Sequence, residues 1–177
     1  MLQDHLRTWA GSAFRHLPRD ASFDVLDFRW AGRAATNRWN ERGEPTLYLA
    51  GDVGVVVAEF ARHMTGDRPP ALTPDTIERT VYRLELALEA VIDLRIPAVW
   101  STLSLDTAPH CFLDIQTARA TARFLRATTS AQGILVPSVA FLDNLDRWCL
   151  VLFLEKLSHD PSTFISSVAI EGPLRWR

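Results

Sequence analysis

Five side chains between residues 29 and 138 have the types and spacing to act on a phosphate-bearing ligand. Arg29 sits between Phe28 and Trp30, and Arg38-Trp39-Asn40 falls in a polar loop that contains glycine. Guanidinium groups capture diphosphates through paired hydrogen bonds, so Arg29 and Arg38 are candidates for that task. Tyr48 lies in a short β-prone run just before a turn, where a ring can stack on a planar ligand or pack into a core. Glu59 interrupts the apolar run Val55-Val56-Val57-Ala58-Glu59-Phe60. A carboxylate in Val-rich surroundings is costly unless paired, which marks a candidate site; on an exposed helical stripe beside Arg62 and His63 it would be ordinary. Ser138 follows Pro137 at the end of a strand-like run, a place for a functional hydroxyl or for a turn-stabilising one.

Other chemistries find little support. The sequence holds no GxGxxG, P-loop, HExxH or GxSxG signature. Its five His do not cluster at metal-ligand spacing, and Glu59 with His63 gives only two ligands on one helix, so no metal is expected. His110 and Cys111 are adjacent and diverge if they lie on a strand, which argues against a Cys-His nucleophile.

The elements that must position these residues follow from hydrophobic periodicity. Residues 2–16 read as a short amphipathic helix and Phe23 to Trp30 as a strand. A loop runs from Ala31 to Pro45, then a strand over Thr46–Leu49, then a helix from about Val53 to Met64 with Asp52 as N-cap. Alternation predicts a long strand from Thr80 to Ile96. Asp114 to Thr128 reads as a helix with Ile115, Ala118, Ala122 and Leu125 on one face and Arg119, Arg123 and Arg126 turned away from it. Strands are predicted at Gly133–Val136, Cys149–Leu154 and Phe164–Ile170. The mixture, without a strict βαβ repeat, predicts an α+β fold.

At 177 residues, 47% of them hydrophobic, the chain suits a single domain with one adequate core and no internal repeat. Nineteen Lys+Arg against 21 Asp+Glu give a net charge of −2, which offers no general attraction for nucleic acid. Lys156 is the sole lysine, so the cations are almost all arginine, a bias that genome composition alone can produce. The two cysteines form no CxxC pair, and no segment reads as a signal peptide or a membrane span; a cytoplasmic protein is expected.

The ordered set Arg29, Asn37-Arg38-Trp39-Asn40-Glu41-Arg42-Gly43, Leu47-Tyr48-Leu49-Ala50 and Ala58-Glu59 resembles the N-terminal half of the RES domain. Gln116, Leu125-Arg126, Gly133-Ile134-Leu135-Val136-Pro137-Ser138 and Cys149-Leu150-Val151-Leu152-Phe153 continue the resemblance, which spans about Phe28 to Phe153. It implies a fold similar to ADP-ribosyltransferases of the diphtheria-toxin type. It also implies the toxin of a toxin–antitoxin module, neutralised by an Xre-like antitoxin in a hetero-oligomeric complex, with growth arrest as the outcome. The implied activity is NAD degradation with inorganic phosphate as acceptor; protein ADP-ribosylation, or an inactive module that only binds its antitoxin, are the alternatives.

On that resemblance Arg29 and Arg38 would grip the NAD diphosphate or the attacking phosphate, and Tyr48 would stack on the nicotinamide. Glu59 would stabilise positive charge at the ribose, and Ser138 would bond the ribose or the phosphate. NAD is then the substrate and Arg29, Glu59 and Ser138 the catalytic set. Two departures bear on these roles. The loop between Arg29 and Arg38 is short, so Arg33 and Arg42 compete for the same task. The segment Asp143-Asn144-Leu145-Asp146-Arg147-Trp148 replaces the usual Gly-Gly turn before Cys149, and the tail from Ser158 carries no resemblance.

Overall fold

A computed structural model describes residues 2–65 and 78–174. Among these described residues are six strands and three α-helices, the α+β architecture expected from the mixed periodicities. The strands are β1 (Leu6–Pro18), β2 (Thr46–Ala50), β3 (Arg79–Asp93), β4 (Gly133–Pro137), β5 (Trp148–Phe153) and β6 (Ile165–Pro173). The helices are α1 (Val53–Thr65), α2 (Pro97–Thr102) and α3 (Ile115–Thr128).

β3 organises the sheet. One edge pairs antiparallel with β1 from Leu6↔Ile92 to Pro18↔Arg79. The other edge is divided between β6, antiparallel over Thr80–Leu86, and β4, parallel over Val91–Asp93. β4 continues to β5 and β5 to β2, and β2 meets β1 again through one pair, Phe14↔Ala50. The ladder therefore closes on itself at a single point, and β1 and β2 diverge on either side of it.

β4 and Leu150–Phe153 of β5 are buried at every position because both faces are covered. Leu47, Leu49, Leu135, Leu150 and Leu152 pack on one side. Ile134, Val136, Val151 and Phe153 meet Ala118, Ala122 and Leu125 of α3 on the other. Asp114 caps α3 by accepting from the Gln116 and Thr117 N–H groups. Asp52 likewise accepts from the Val55 N–H at 3.0 Å and starts α1, whose Val55, Val56, Phe60 and Met64 form a third apolar cluster with Ala50, Val81 and Leu174.

Three sequence expectations fail. Residues 2–16 are not an α-helix: Leu2–His5 make a 3-10 turn and the rest is β1. Their apolar spacing fits both periods, and the long-range ladder to β3 decides between them. Phe23–Trp30 form successive turns rather than a strand, since Asp24 and Asp27 bind the backbone N–H groups two residues ahead and curl the chain. His110 and Cys111 lie in a 3-10 turn, not on a strand.

Candidate functional site

Where β1 and β2 part, a cavity of about 560 Å³ opens, within the usual range for small-molecule sites. β1 contributes Arg15 and His16, β2 Tyr48, α1 Glu59, β3 Arg79, and the loop before β2 Arg33 and Arg38.

Glu59 stands on α1 facing the end of β4. Its Oε1 accepts from Ser138 Oγ at 2.5 Å and from the Ala140 N–H at 3.4 Å. Ser138 is 1% exposed, so this contact fixes the carboxylate rather than competing with water. Glu59 Oε2 takes no hydrogen bond among the described residues, while the side chain lines the cavity. Cys149 lines it too; burial, reinforced by Glu59 and Asp52, pushes its thiol well above the usual range, so it is a protonated wall group and not a nucleophile.

The loop over residues 31–45 is built to hold Arg38. Gly32, at φ +79°, turns the chain where a side chain would strike the Glu44 carbonyl. Asn40 is 1% exposed and donates to the Gly32 carbonyl at 3.0 Å and the Glu41 carbonyl at 2.6 Å. Tyr48 donates its hydroxyl hydrogen to Asn40 Oδ1 at 2.8 Å and accepts from the Trp39 N–H at 2.9 Å. Burial pushes the Tyr48 phenol up, so it stays protonated and keeps that donor role. From α3, Arg119 donates to the Asn37 carbonyl at 2.7 and 3.0 Å and to the Ala35 carbonyl at 2.6 Å, strapping the loop from outside. Arg38 itself donates through Nη1 to the Phe112 and Leu113 carbonyls, both at 2.8 Å. Burial, followed by the neighbouring Arg62, lowers its pKa, with Glu59 opposing. The Arg38 guanidinium is held by carbonyls and forms no ion pair among the described residues.

Glu59, Ser138, Tyr48 and Arg38 are therefore brought together. Arg29 is not. Its side chain is 80% exposed and clamps Asp27 in two hydrogen bonds of 2.6 and 2.9 Å, holding that carboxyl down at about 2. It lines a neighbouring groove with Arg42, and Arg33, stacked over Trp30 at 4.3 Å, stands between groove and cavity. The reason is local: the segment expected as a strand around Arg29 is a chain of turns that leaves its side chain beside Asp27.

Arg15, His16 and Arg79 were not singled out by sequence. Arg15 donates to the Val25 carbonyl and lies 5.4 Å over the Phe28 ring; burial lowers its pKa, against the pull of Asp27. Once residues 6–18 are a strand, Arg15 and His16 between Phe14 and Leu17 are conspicuous polar groups in an apolar run. A helical reading conceals them.

Among the described residues, no group of three or more His, Cys, Asp or Glu could hold a metal ion, and no helix is long and apolar enough to cross a membrane.

Residues 8–177 match the family described as the RES domain, a wider span than the 28–153 resemblance and one that takes in β1 and the tail. No curated protein matches. Among solved structures the chain is similar to one in the crystal structure of the M. tuberculosis MbcT–MbcA toxin–antitoxin complex, with TM-score 0.65 and 18% identity over 94% of this chain and 87% of that one. At that identity the likeness is one of fold.

Proposed function

This chain belongs to the RES domain family, and on that premise we propose that it cleaves the nicotinamide–ribose bond of NAD as the toxin partner of an antitoxin. The observation that carries the reading is Glu59, held by buried Ser138 with one carboxylate oxygen left over, in a cavity that also contains Arg38 and Tyr48. The structural neighbour belongs to a toxin–antitoxin complex, which supports the partner. An Xre-like antitoxin and a fold similar to that of ADP-ribosyltransferases belong to the same proposal.

The chemistry follows from the groups present. As the C1″–N bond of NAD breaks, its electron pair returns to the ring and cancels the pyridinium charge. Nicotinamide thus leaves neutral, and no general acid is needed. Positive charge then develops on the ribose, where the Glu59 carboxylate stabilises it and receives ribose hydroxyls. A phosphate oxygen forms the new C1″–O bond while the phosphate keeps its proton, giving ADP-ribose 1″-phosphate. Arg38 binds phosphoryl oxygens through donors not used on the Phe112 and Leu113 carbonyls. Tyr48, its ring set by the Asn40 contact, orients the nicotinamide.

The test is to incubate the purified chain with NAD, with and without inorganic phosphate, and to resolve the products by chromatography and ³¹P NMR. Nicotinamide and a phosphorylated ADP-ribose are expected in phosphate buffer. Intact NAD in both buffers would overturn the proposal, and label transferred from NAD to protein instead would name a side chain as acceptor.

A further inference from the structure

Arg79, at the first position of β3, is a cation placed in the cavity without an anion. Its Nε donates to His16 Nδ1 at 2.5 Å, and its Cζ lies 4.8 Å over the Phe60 ring. His16 packs on the same ring at 4.8 Å between centroids. Phe60 follows Glu59 on α1, and Arg79 and His16 of this stack line the same cavity as the carboxylate.

Of the other half-buried arginines, Arg15 and Arg38 are held by backbone carbonyls and three more by carboxylates, whereas Arg79 has neither kind of partner among the described residues. Arg95 pairs with Asp93 at 2.7 Å, Arg126 with Glu155 at 2.9 Å and Arg147 with Asp52 at 2.7 Å. Arg79 forms no ion pair among the described residues, and its two Nη groups, with four N–H donors between them, meet no acceptor there. Burial lowers its pKa to about 10, so it remains charged near neutrality. His16 cannot supply the missing charge. With burial first, then Arg79, Arg15 and His63, its pKa falls to about 3, and it is a neutral ring whose Nδ1 accepts and whose Nε2 carries the hydrogen. A half-buried cation propped by a neutral acceptor and an aromatic face, with its fork unspent, is arranged for an anion from outside.

We propose that Arg79, set by His16 and Phe60, is a subsite for phosphoryl oxygens in the cavity, separate from the Arg38 loop. The choice of phosphoryl over carboxylate rests on the NAD reading. Two sources share that chemistry, the acceptor phosphate and the NAD diphosphate, and kinetics separates them.

The experiment compares the wild-type chain with Arg79→Gln, and with Arg79→Lys in case the Gln variant does not fold. Binding of inorganic phosphate and of pyrophosphate is followed by ³¹P NMR titration, and KM for NAD and for phosphate by steady-state turnover. Affinity for one or both anions is expected to fall about 10-fold or more in Arg79→Gln, with Lys, a point charge without the fork, in between. A rise in the phosphate KM alone assigns the acceptor; a rise in the NAD KM alone assigns the diphosphate. A chain that never consumes NAD yet loses anion binding on substitution keeps the subsite and refutes the NAD reading. Anion binding and both KM values within twofold of wild type in a folded Arg79 variant, or no anion binding by the wild type, would overturn the subsite.

Discussion

Ser138 Oγ donates to Glu59 Oε1 at 2.5 Å, joining the end of β4 to the middle of α1 across 79 positions of sequence. The contact occupies one carboxylate oxygen and turns the side chain so that the other is available to the cavity. Glu59→Gln keeps the shape and an acceptor for Ser138 but removes the charge. NAD turnover should fall by about 10²-fold or more while the melting temperature stays within about 3 °C. Ser138→Ala leaves Glu59 with only the 3.4 Å Ala140 contact, and a loss of about 10-fold in kcat with about 1 kcal/mol of stability is expected. A parallel loss of folding and turnover in Glu59→Gln would make the residue structural.

Arg29 and Arg38 separate the sequence expectation from the geometry. Arg29→Ala removes an exposed clamp on Asp27 and should leave turnover within twofold. Arg38→Ala should raise the NAD KM or lower kcat by about 10-fold or more. Steady-state assays of both variants check this, and the reverse ranking would return Arg29 to the site.

Arg119 acts on the site only through the loop that it binds. Arg119→Lys keeps the charge but cannot reproduce three hydrogen bonds to the Asn37 and Ala35 carbonyls. Stability should fall by about 1–3 kcal/mol, and the remaining activity should show a raised NAD KM with a smaller change in kcat. Thermal unfolding and a KM-against-kcat comparison read the two effects; an unchanged KM would uncouple loop and site.

His16 predicts an acid limb in stability. Its folded pKa of about 3 lies below the ordinary 6.5, so the unfolded chain binds the extra proton between those values. The stabilisation is therefore complete above about pH 6.5 and declines as pH falls towards 3, by at most about 1.4 kcal/mol per unit. Arg79, Arg15 and His63 all oppose the imidazolium. His16→Gln should flatten the dependence between pH 6.5 and 4.5, above the range of ordinary carboxylates, in denaturant titrations at fixed pH. An unchanged slope would locate the proton elsewhere.

Local rules were enough where neighbours in sequence decide the outcome. Asp52 and Asp114 start the helices expected of them, and the alternation through Leu84, Leu86 and Leu88 is β3. The strand at Phe23–Trp30 failed because Asp24 and Asp27 spend their oxygens on nearby backbone, a competition that hydrophobic pattern ignores. β1 failed because a twelve-pair register with β3 is invisible to a local window. The helical reading hid Arg15 and His16. The arginines of α3 are similarly instructive: Arg119 and Arg126, turned from the apolar face, are spent on loop carbonyls and on Glu155 rather than on solvent.

The closing order of the ladder sets when activity can arise during synthesis. β2, which carries Tyr48, finds its full-length partner only in β5, and Glu59 finds its hydroxyl only at Ser138. A ribosome that has released residues up to 130 has made β1, the Arg38 loop, α1 and β3, but neither β4 and β5 nor Ser138, which aims the carboxylate. The long-range pairs that complete the site can therefore form only once residue 153 is available. On the toxin–antitoxin reading proposed above, the preceding interval is when an antitoxin would meet the chain before its site is complete.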